Sequence, residues 1–203
     1  LIRIRLPLVI AGIGLSTLHQ SSLGSLFLIM PFHLHPLWYS PILPVNFFVS
    51  AVGLGLMMVV LESHTTAYFY HRKPETPLLA RLGSAARWVL LAYVAVRLID
   101  LAARGQLAHL AVNEWETWMF WFELTLMAIL PAALLFVPAM RESRAGQWIV
   151  AALGVSGVVL NRLNVGGLIH QGRASYFPSW TELAISAGIV SVVMLTFMFI
   201  VER

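Results

Sequence analysis

Apolar runs near 6–30, 44–70, 78–104, 115–138, 146–166 and 181–202, each bounded by charged residues or proline, constrain this chain more than any other feature. At about 1.5 Å rise per residue, a helix of roughly 20 apolar residues crosses the ~30 Å hydrocarbon core of a bilayer. Runs of that length fill nearly all of the 203 residues, which leaves no room for a separate soluble domain. Only 11% of the residues are charged, against roughly 25% in a soluble domain, so the chain cannot cover itself with polar surface. The expected fold is all-α: a polytopic transmembrane helix bundle of about six spans, forming one domain over 1–203. Leu1 opens the chain without methionine, and Arg3 and Arg5 lead straight into the first run with no signal-type segment. The expected true N-terminus therefore lies upstream.

Proline marks the joints. Pro31, Pro36, Pro41 and Pro44 frame the first connection, Pro74 and Pro77 the second, Pro138 closes the fourth run and Pro178 precedes the sixth. Because successive spans alternate in direction, the connections fall on two sides. Arg3, Arg5, Arg72, Lys73, Arg81, Arg141, Arg144 and Arg203 share one side, and only Arg104 and Arg173 lie on the other. The net charge of +4 thus reads as a topology signal rather than a nucleic-acid footprint, and the positive-inside rule makes the first side cytoplasmic. Loops 31–43, 105–114 and 167–180 are then expected to face the periplasm, in a bacterial or archaeal cytoplasmic membrane. These loops are rich in Trp, Tyr, His and Pro and look built to dock a partner. For Trp38, Tyr39, Trp115, Trp118, Tyr176 and Trp180 taken singly, the ordinary reading is an interfacial aromatic belt.

Ionisable residues inside spans are the sharpest signal, since each costs on the order of 3 kcal/mol in lipid unless paired or turned inward. Counting helix rise, Arg97 and Asp100 lie roughly 10 and 6 Å inside the outer end of the third span, and Glu123 roughly 12 Å inside that of the fourth. These three can meet. Arg97 and Asp100 share a helical face, as do Glu116 and Glu123, and Asn161-Arg162-Leu163-Asn164 closes the fifth span at the same level. Buried ion pairs that hold the bundle together would explain any single pair. The set as a whole points to one polar pocket in the outer half of the membrane. His19 and Gln20 fall near the middle of the first span, where the histidine is either a proton-exchanging ligand or an interhelical hydrogen-bonder. Glu62 and His64 lie toward the cytoplasmic end of the second.

A haem between two transmembrane histidines requires both at one depth, and by helix rise His19 and His64 differ by about 14 Å. His33, His35, His71, His109 and His170 lie in loops or at span ends. The absence of cysteine excludes a thiolate-held iron–sulfur cluster in this chain. No metal site, P-loop, dinucleotide fingerprint, HExxH or G-x-S-x-G motif is present. A solute or proton transporter remains the physical rival, because a mid-depth polar cavity beside Gly12, Gly14, Gly53 and Gly55 could also pass a solute. Glycines at such spacing more often serve close helix packing.

The stretches Leu18-His19-Gln20-Ser21-Ser22-Leu23-Gly24, Leu34-His35-Pro36-Leu37-Trp38-Tyr39-Ser40-Pro41, Leu160-Asn161-Arg162-Leu163-Asn164-Val165-Gly166 and Tyr176-Phe177-Pro178-Ser179-Trp180-Thr181-Glu182 together resemble the NrfD/PsrC family. Their nearest likeness is to its HybB-type branch, the membrane subunit of a periplasmic [NiFe]-hydrogenase. Members of that family carry further helices ahead of this region, so the resemblance makes the present chain the C-terminal portion of a longer subunit. It implies a non-autonomous, quinone-reactive subunit of a respiratory oxidoreductase complex, fed with electrons by a ferredoxin-like iron–sulfur subunit on the periplasmic face.

On this reading menaquinone or ubiquinone is the substrate, and no haem or iron–sulfur cluster is expected in the chain itself. Asp100, Glu123 and His19 would carry the chemistry. His19, Arg97, Asp100, Glu116, Glu123, Asn161, Arg162 and Asn164 would bind the headgroup. The alternatives are a b-haem electron-transfer subunit and a solute or proton transporter.

Overall fold

The computed structural model describes residues 2–29, 31, 34–71, 73–169 and 179–201. The expectations placed on His33, Arg72, His170, Arg173, Tyr176 and Arg203, and on the side chains of Arg3 and Arg5, lie outside the described residues.

Helix α1 runs Ile2–Leu28, α2 Leu43–Phe69 and α3 Thr76–Ala103. After a short 3-10 turn at Leu107–Leu110, α4 runs Trp115–Phe136 and α5 Pro138–Glu142. Helix α6 runs Arg144–Leu163 and α7 Trp180–Val201. The first four long helices and α6 are long and apolar enough to cross a membrane, and the stretch Trp180–Val193 of α7 is a shorter apolar helix. The polytopic all-α architecture follows.

Local sequence explains the ends. Prolines stand in the first turns of α2, α3 and α5, where a missing N–H costs nothing. Ser143 caps α6, its hydroxyl accepting the Gly146 N–H at 3.1 Å. Helix α3 stops at Gly105, whose φ of +67° lets the Gln106 N–H reach back to the Leu101 carbonyl at 3.0 Å.

Two π turns interrupt the regular helices: Thr125–Ile129 within α4, and Asn164–Leu168 continuing α6. The first has a visible cause. Pro131 lacks an N–H and its ring crowds the carbonyl four residues back, so the turn before it widens and the Leu130 N–H reaches Thr125 instead.

Helix α2 packs against α1, α3 and α6, and α4 packs between α3 and α6. The distribution of polarity is inverted relative to a soluble protein. Ile10, Ile13, Leu15, Val59, Ile99, Ile185 and Val190 are exposed, whereas Asn46, Arg97, Glu123, Gln147, Asn161 and Asn164 are buried. An apolar exterior, with the charged and amide side chains turned inward among an apolar core, is the arrangement a hydrocarbon solvent selects, and the molecule is a multi-pass membrane protein.

Candidate functional site

The helical phase of α4 turns Thr117, Phe120, Glu123 and Leu124 inward. Glu123 is 2% exposed and its carboxyl group receives donors from two other segments. Its Oε2 accepts from Trp38 Nε1 at 2.8 Å and from Asn164 Nδ2 at 2.5 Å, and its Oε1 accepts from Asn161 Nδ2 at 2.6 Å. Asn161 and Asn164 sit three residues apart and so share a face, and Asn164 opens the π turn that continues α6.

A chain of polar contacts continues from there. Arg162 Nη1 donates to Asn161 Oδ1 at 2.6 Å, so one amide bridges the carboxylate and the guanidinium. Arg162 Nη2 reaches Ser50 Oγ at 2.8 Å, Gln20 Oε1 at 3.2 Å and the Phe47 carbonyl at 3.3 Å, while the guanidinium lies 3.7 Å from the Phe47 ring centroid. Arg162 is half-buried inside the bundle and ties α1, α2 and α6 together.

The segment 34–41 is irregular, yet Leu34, Leu37, Trp38 and Ser40 are buried. Non-helical backbone at that depth needs partners, and two arginines supply them. Arg97 Nη2 donates to the Leu37 and Trp38 carbonyls at 2.7 and 3.3 Å, and Arg104 Nη1 donates to the Pro36 carbonyl at 3.1 Å. Trp38 packs edge-on against Phe120, with ring centroids 5.6 Å apart.

The expected meeting of Arg97, Asp100 and Glu123 takes a different form. Asp100 pairs with Arg104 at 2.9 Å, one turn along its own helix, and Arg97 clamps the loop rather than a carboxylate. Among the described residues, Arg97 Nη1 is buried without a hydrogen-bond partner, as are Asn164 Oδ1 and both amide atoms of Asn46. Asn46 lies one turn before Ser50 on the buried face of α2. Tyr93 is buried within electrostatic range of Arg97, Glu123 and Arg162. The cluster therefore sets the guanidinium groups of Arg97 and Arg162 within electrostatic range of Glu123, Arg162 being joined to it through the Asn161 amide, with Asp100 matched by Arg104.

Glu116 is half-buried in the first turn of α4, in the neighbourhood of His35, His109 and Glu114. His19 is exposed on α1. Successive residues of a helix point about 100° apart, so Gln20 reaches Arg162 while His19 faces away from the cluster.

The loop that carries Trp38 is pH-sensitive through His35. Its Nδ1 accepts the Leu37 N–H at 3.2 Å, which only a neutral ring can do. Burial, the largest influence, pushes the His35 pKa below the ordinary histidine value; Glu116 and Glu114 oppose this and His109 adds to it. The folded loop thus binds a proton less readily than the unfolded chain. Its stability is intact above about pH 6.5 and is lost progressively as pH falls from there toward the lowered folded value. Amide protection at 34–40, taken as exchange relative to the intrinsic rate at each pH, is expected to fall on going from about pH 7.5 to 5.5. His35→Asn, which keeps an acceptor but does not titrate, should flatten that dependence.

The model of the family described as polysulphide reductase, NrfD, matches residues 4–170. A protein of Nitratidesulfovibrio vulgaris is 39% identical over 214 residues, covering 100% of this chain and 54% of that protein. The probable Ni/Fe-hydrogenase 2 b-type cytochrome subunit of Escherichia coli is 28% identical over 200 residues, covering 96% of this chain and 51% of the relative. The menaquinone reductase integral membrane subunit of Nitratidesulfovibrio vulgaris is 29% identical over 208 residues, covering 89% and 49%. The chain spans about half the length of these curated relatives. No solved structure matches it.

Proposed function

We propose, from the premise that this chain belongs to the polysulphide reductase NrfD family, that it is the quinone-reactive membrane subunit of an oxidoreductase complex. The observation that carries the reading is the surplus cation of the buried cluster. Arg97 and Arg162 outnumber Glu123 there, and Arg97 Nη1 presents an unused donor. Reduction of a quinone adds electrons to its carbonyl oxygens before both are protonated. A fixed guanidinium in a dry site stabilises that developing charge without having to reorganise.

In this mechanism a quinone headgroup, menaquinone or ubiquinone, places one carbonyl on Arg97 Nη1, with Asn46 and Asn164 as the next available polar groups. Two electrons arrive from an iron–sulfur partner subunit docked on the face that bears the loops 31–43 and 105–114, which we take as periplasmic. The two protons that complete the hydroquinone enter through the cluster, with Glu123 and the Asp100–Arg104 pair as its ionisable members. Glu123 fixes Trp38, Asn161 and Asn164 in place, and His19 takes no part. The hydrogenase subunit and the menaquinone reductase among the relatives support a donor complex of the hydrogenase kind, with quinone as acceptor.

The test is quinone reduction by the assembled complex carrying Arg97→Gln, together with the structure of the complex with a bound quinone-site inhibitor. Loss of a single charge-stabilising donor typically lowers turnover about a hundredfold, which is the expected result if the complex still assembles. Unchanged turnover, or an inhibitor bound away from Arg97, would overturn the mechanism. The name of the Escherichia coli relative includes a b-type cytochrome, and a reduced visible α-band in the purified complex would favour that second reading. Against it, His64 already spends Nε2 on Gln147 and His19 faces outward from α1.

A further inference from the structure

The segment 34–41 holds the buried cluster at two points. Its Leu37 and Trp38 carbonyls are the hydrogen-bond partners of Arg97 among the described residues, and the Trp38 indole donates to Glu123 at 2.8 Å. Where the Arg97 guanidinium stands therefore depends on where those two carbonyls are.

His35 closes the turn that presents them. Its own carbonyl accepts the Trp38 and Tyr39 N–H groups at 2.8 and 3.0 Å, and its ring Nδ1 accepts the Leu37 N–H at 3.2 Å. The ring also packs edge-to-face with the Trp38 indole, centroids 5.9 Å apart. A proton on Nδ1 turns that acceptor into a donor, so the Leu37 N–H then faces a second N–H, in the residue whose carbonyl Arg97 holds. Groups suited to the charged ring stand elsewhere around it, in Glu114 and Glu116 at the start of α4. The remaining charged neighbours are His109 on the 3-10 turn, its ring centroid 5.8 Å from that of His35, and Arg104 on α3. Arg104 donates to the Pro36 carbonyl at 3.1 Å and is paired with Asp100 at 2.9 Å. The imidazolium is drawn toward α4 and away from Leu37.

We infer that His35 is a proton switch on the buried cluster: the neutral ring pins the turn that joins Leu37 and Trp38 to Arg97 and Glu123, and the charged ring releases it. The functional consequence rests on the quinone reading: the site grips its headgroup less well as the compartment beside segment 34–41 turns acid. Burial holds the ring below the ordinary histidine range, so the release occurs below about pH 6.5.

The test is fluorine NMR of the purified complex labelled with fluorotryptophan, the Trp38 resonance being identified by its loss in Trp38→Phe. Between about pH 7.5 and 5 that resonance should shift with a midpoint below about 6.5. His109→Gln removes a neighbouring positive charge and should raise the midpoint, whereas Glu116→Gln removes a negative one and should lower it. His35→Asn keeps an acceptor but takes no proton, and should abolish the shift. Should that variant fail to assemble, the opposite displacements in the other two decide, because they identify a group lying between His109 and Glu116. The affinity of a quinone-site inhibitor should fall by up to about tenfold over the same range, as the loss of one hydrogen bond allows. A complex that binds no such inhibitor would refute the quinone reading alone, and the Trp38 midpoint would still decide the switch. A Trp38 resonance indifferent to pH, a midpoint unmoved in both neighbouring variants, or one that survives His35→Asn and so belongs to Glu123 would overturn the inference.

Discussion

Glu123→Leu is expected to abolish assembly of the subunit, whereas Glu123→Gln should assemble but melt earlier, and the difference follows from the hydrogen-bond inventory. Trp38 Nε1, Asn161 Nδ2 and Asn164 Nδ2 all point their hydrogens at this one carboxyl group. Leucine leaves every one of them buried and unpaired, at about 1–3 kcal/mol each. Glutamine brings one oxygen and one amino group. Asn161 cannot turn over to suit it, because its Oδ1 is held by Arg162. The glutamine oxygen must therefore face Asn161, and its amino group must face Trp38 and Asn164.

Asn164 can adapt, since its own Oδ1 is free to turn toward that amino group. Trp38 cannot, because indole only donates. The expected cost of Glu123→Gln is accordingly that of a single orphaned donor, about 1–3 kcal/mol. Trp38→Phe should remove most of that cost when combined with Glu123→Gln, though it destabilises the wild type. A thermal-denaturation cycle of the detergent-solubilised complex reads the coupling directly. If the two substitutions add, the Trp38–Glu123 bond does not carry the effect.

The architecture was legible because hydrocarbon leaves helices little choice, and apolar length with flanking proline and charge announces them. Depth was legible too: helix rise alone brought Glu123, Asn161 and Asn164 to one level, and they do touch. Rise gives height, and phase has meaning only once the neighbours are known. His19 is near the right height on the wrong side of α1, and only its neighbour Gln20 reaches the cluster.

Arg97 and Asp100 failed to find Glu123 for another reason. The irregular segment 34–41 dips into the bundle and its carbonyls claim the arginine, an event that no periodicity records. Asp100 had an alternative partner in plain view at Arg104, four residues on. Trp38 stood among candidates for an interfacial belt, and the proline-framed motif around it was the available hint that it turns inward. Pro131 inside the fourth span was the corresponding hint of the π turn beyond Glu123.

That π turn is where the largest packing effect is expected, from the smallest possible change. A methyl group placed on Gly157 would overlap the backbone N and Cα of Met127 and come within 2.7 Å of the Leu126 carbonyl carbon. Backbone cannot rotate away as a side chain can, so Gly157→Ala must push α6 off α4. Overpacking of this kind typically costs about 1–3 kcal/mol and more where the obstacle is rigid. The displacement also has a direction that matters for the site, because Asn161 lies one turn beyond Gly157 and its contact with Glu123 depends on that approach. Gly157→Ala should therefore lower the melting temperature and, on the proposed function, the quinone turnover of the assembled complex. Gly154 provides the control, being on the same face one turn back with the flexible Met57 side chain as its close neighbour and the nearest backbone atom, the Met127 carbonyl oxygen, 3.7 Å away. Methionine repacks readily, so Gly154→Ala should cost less than about 1.5 kcal/mol and leave turnover near wild type. Equal losses in the two variants would mean that the close approach at Met127 does not position Asn161 on Glu123.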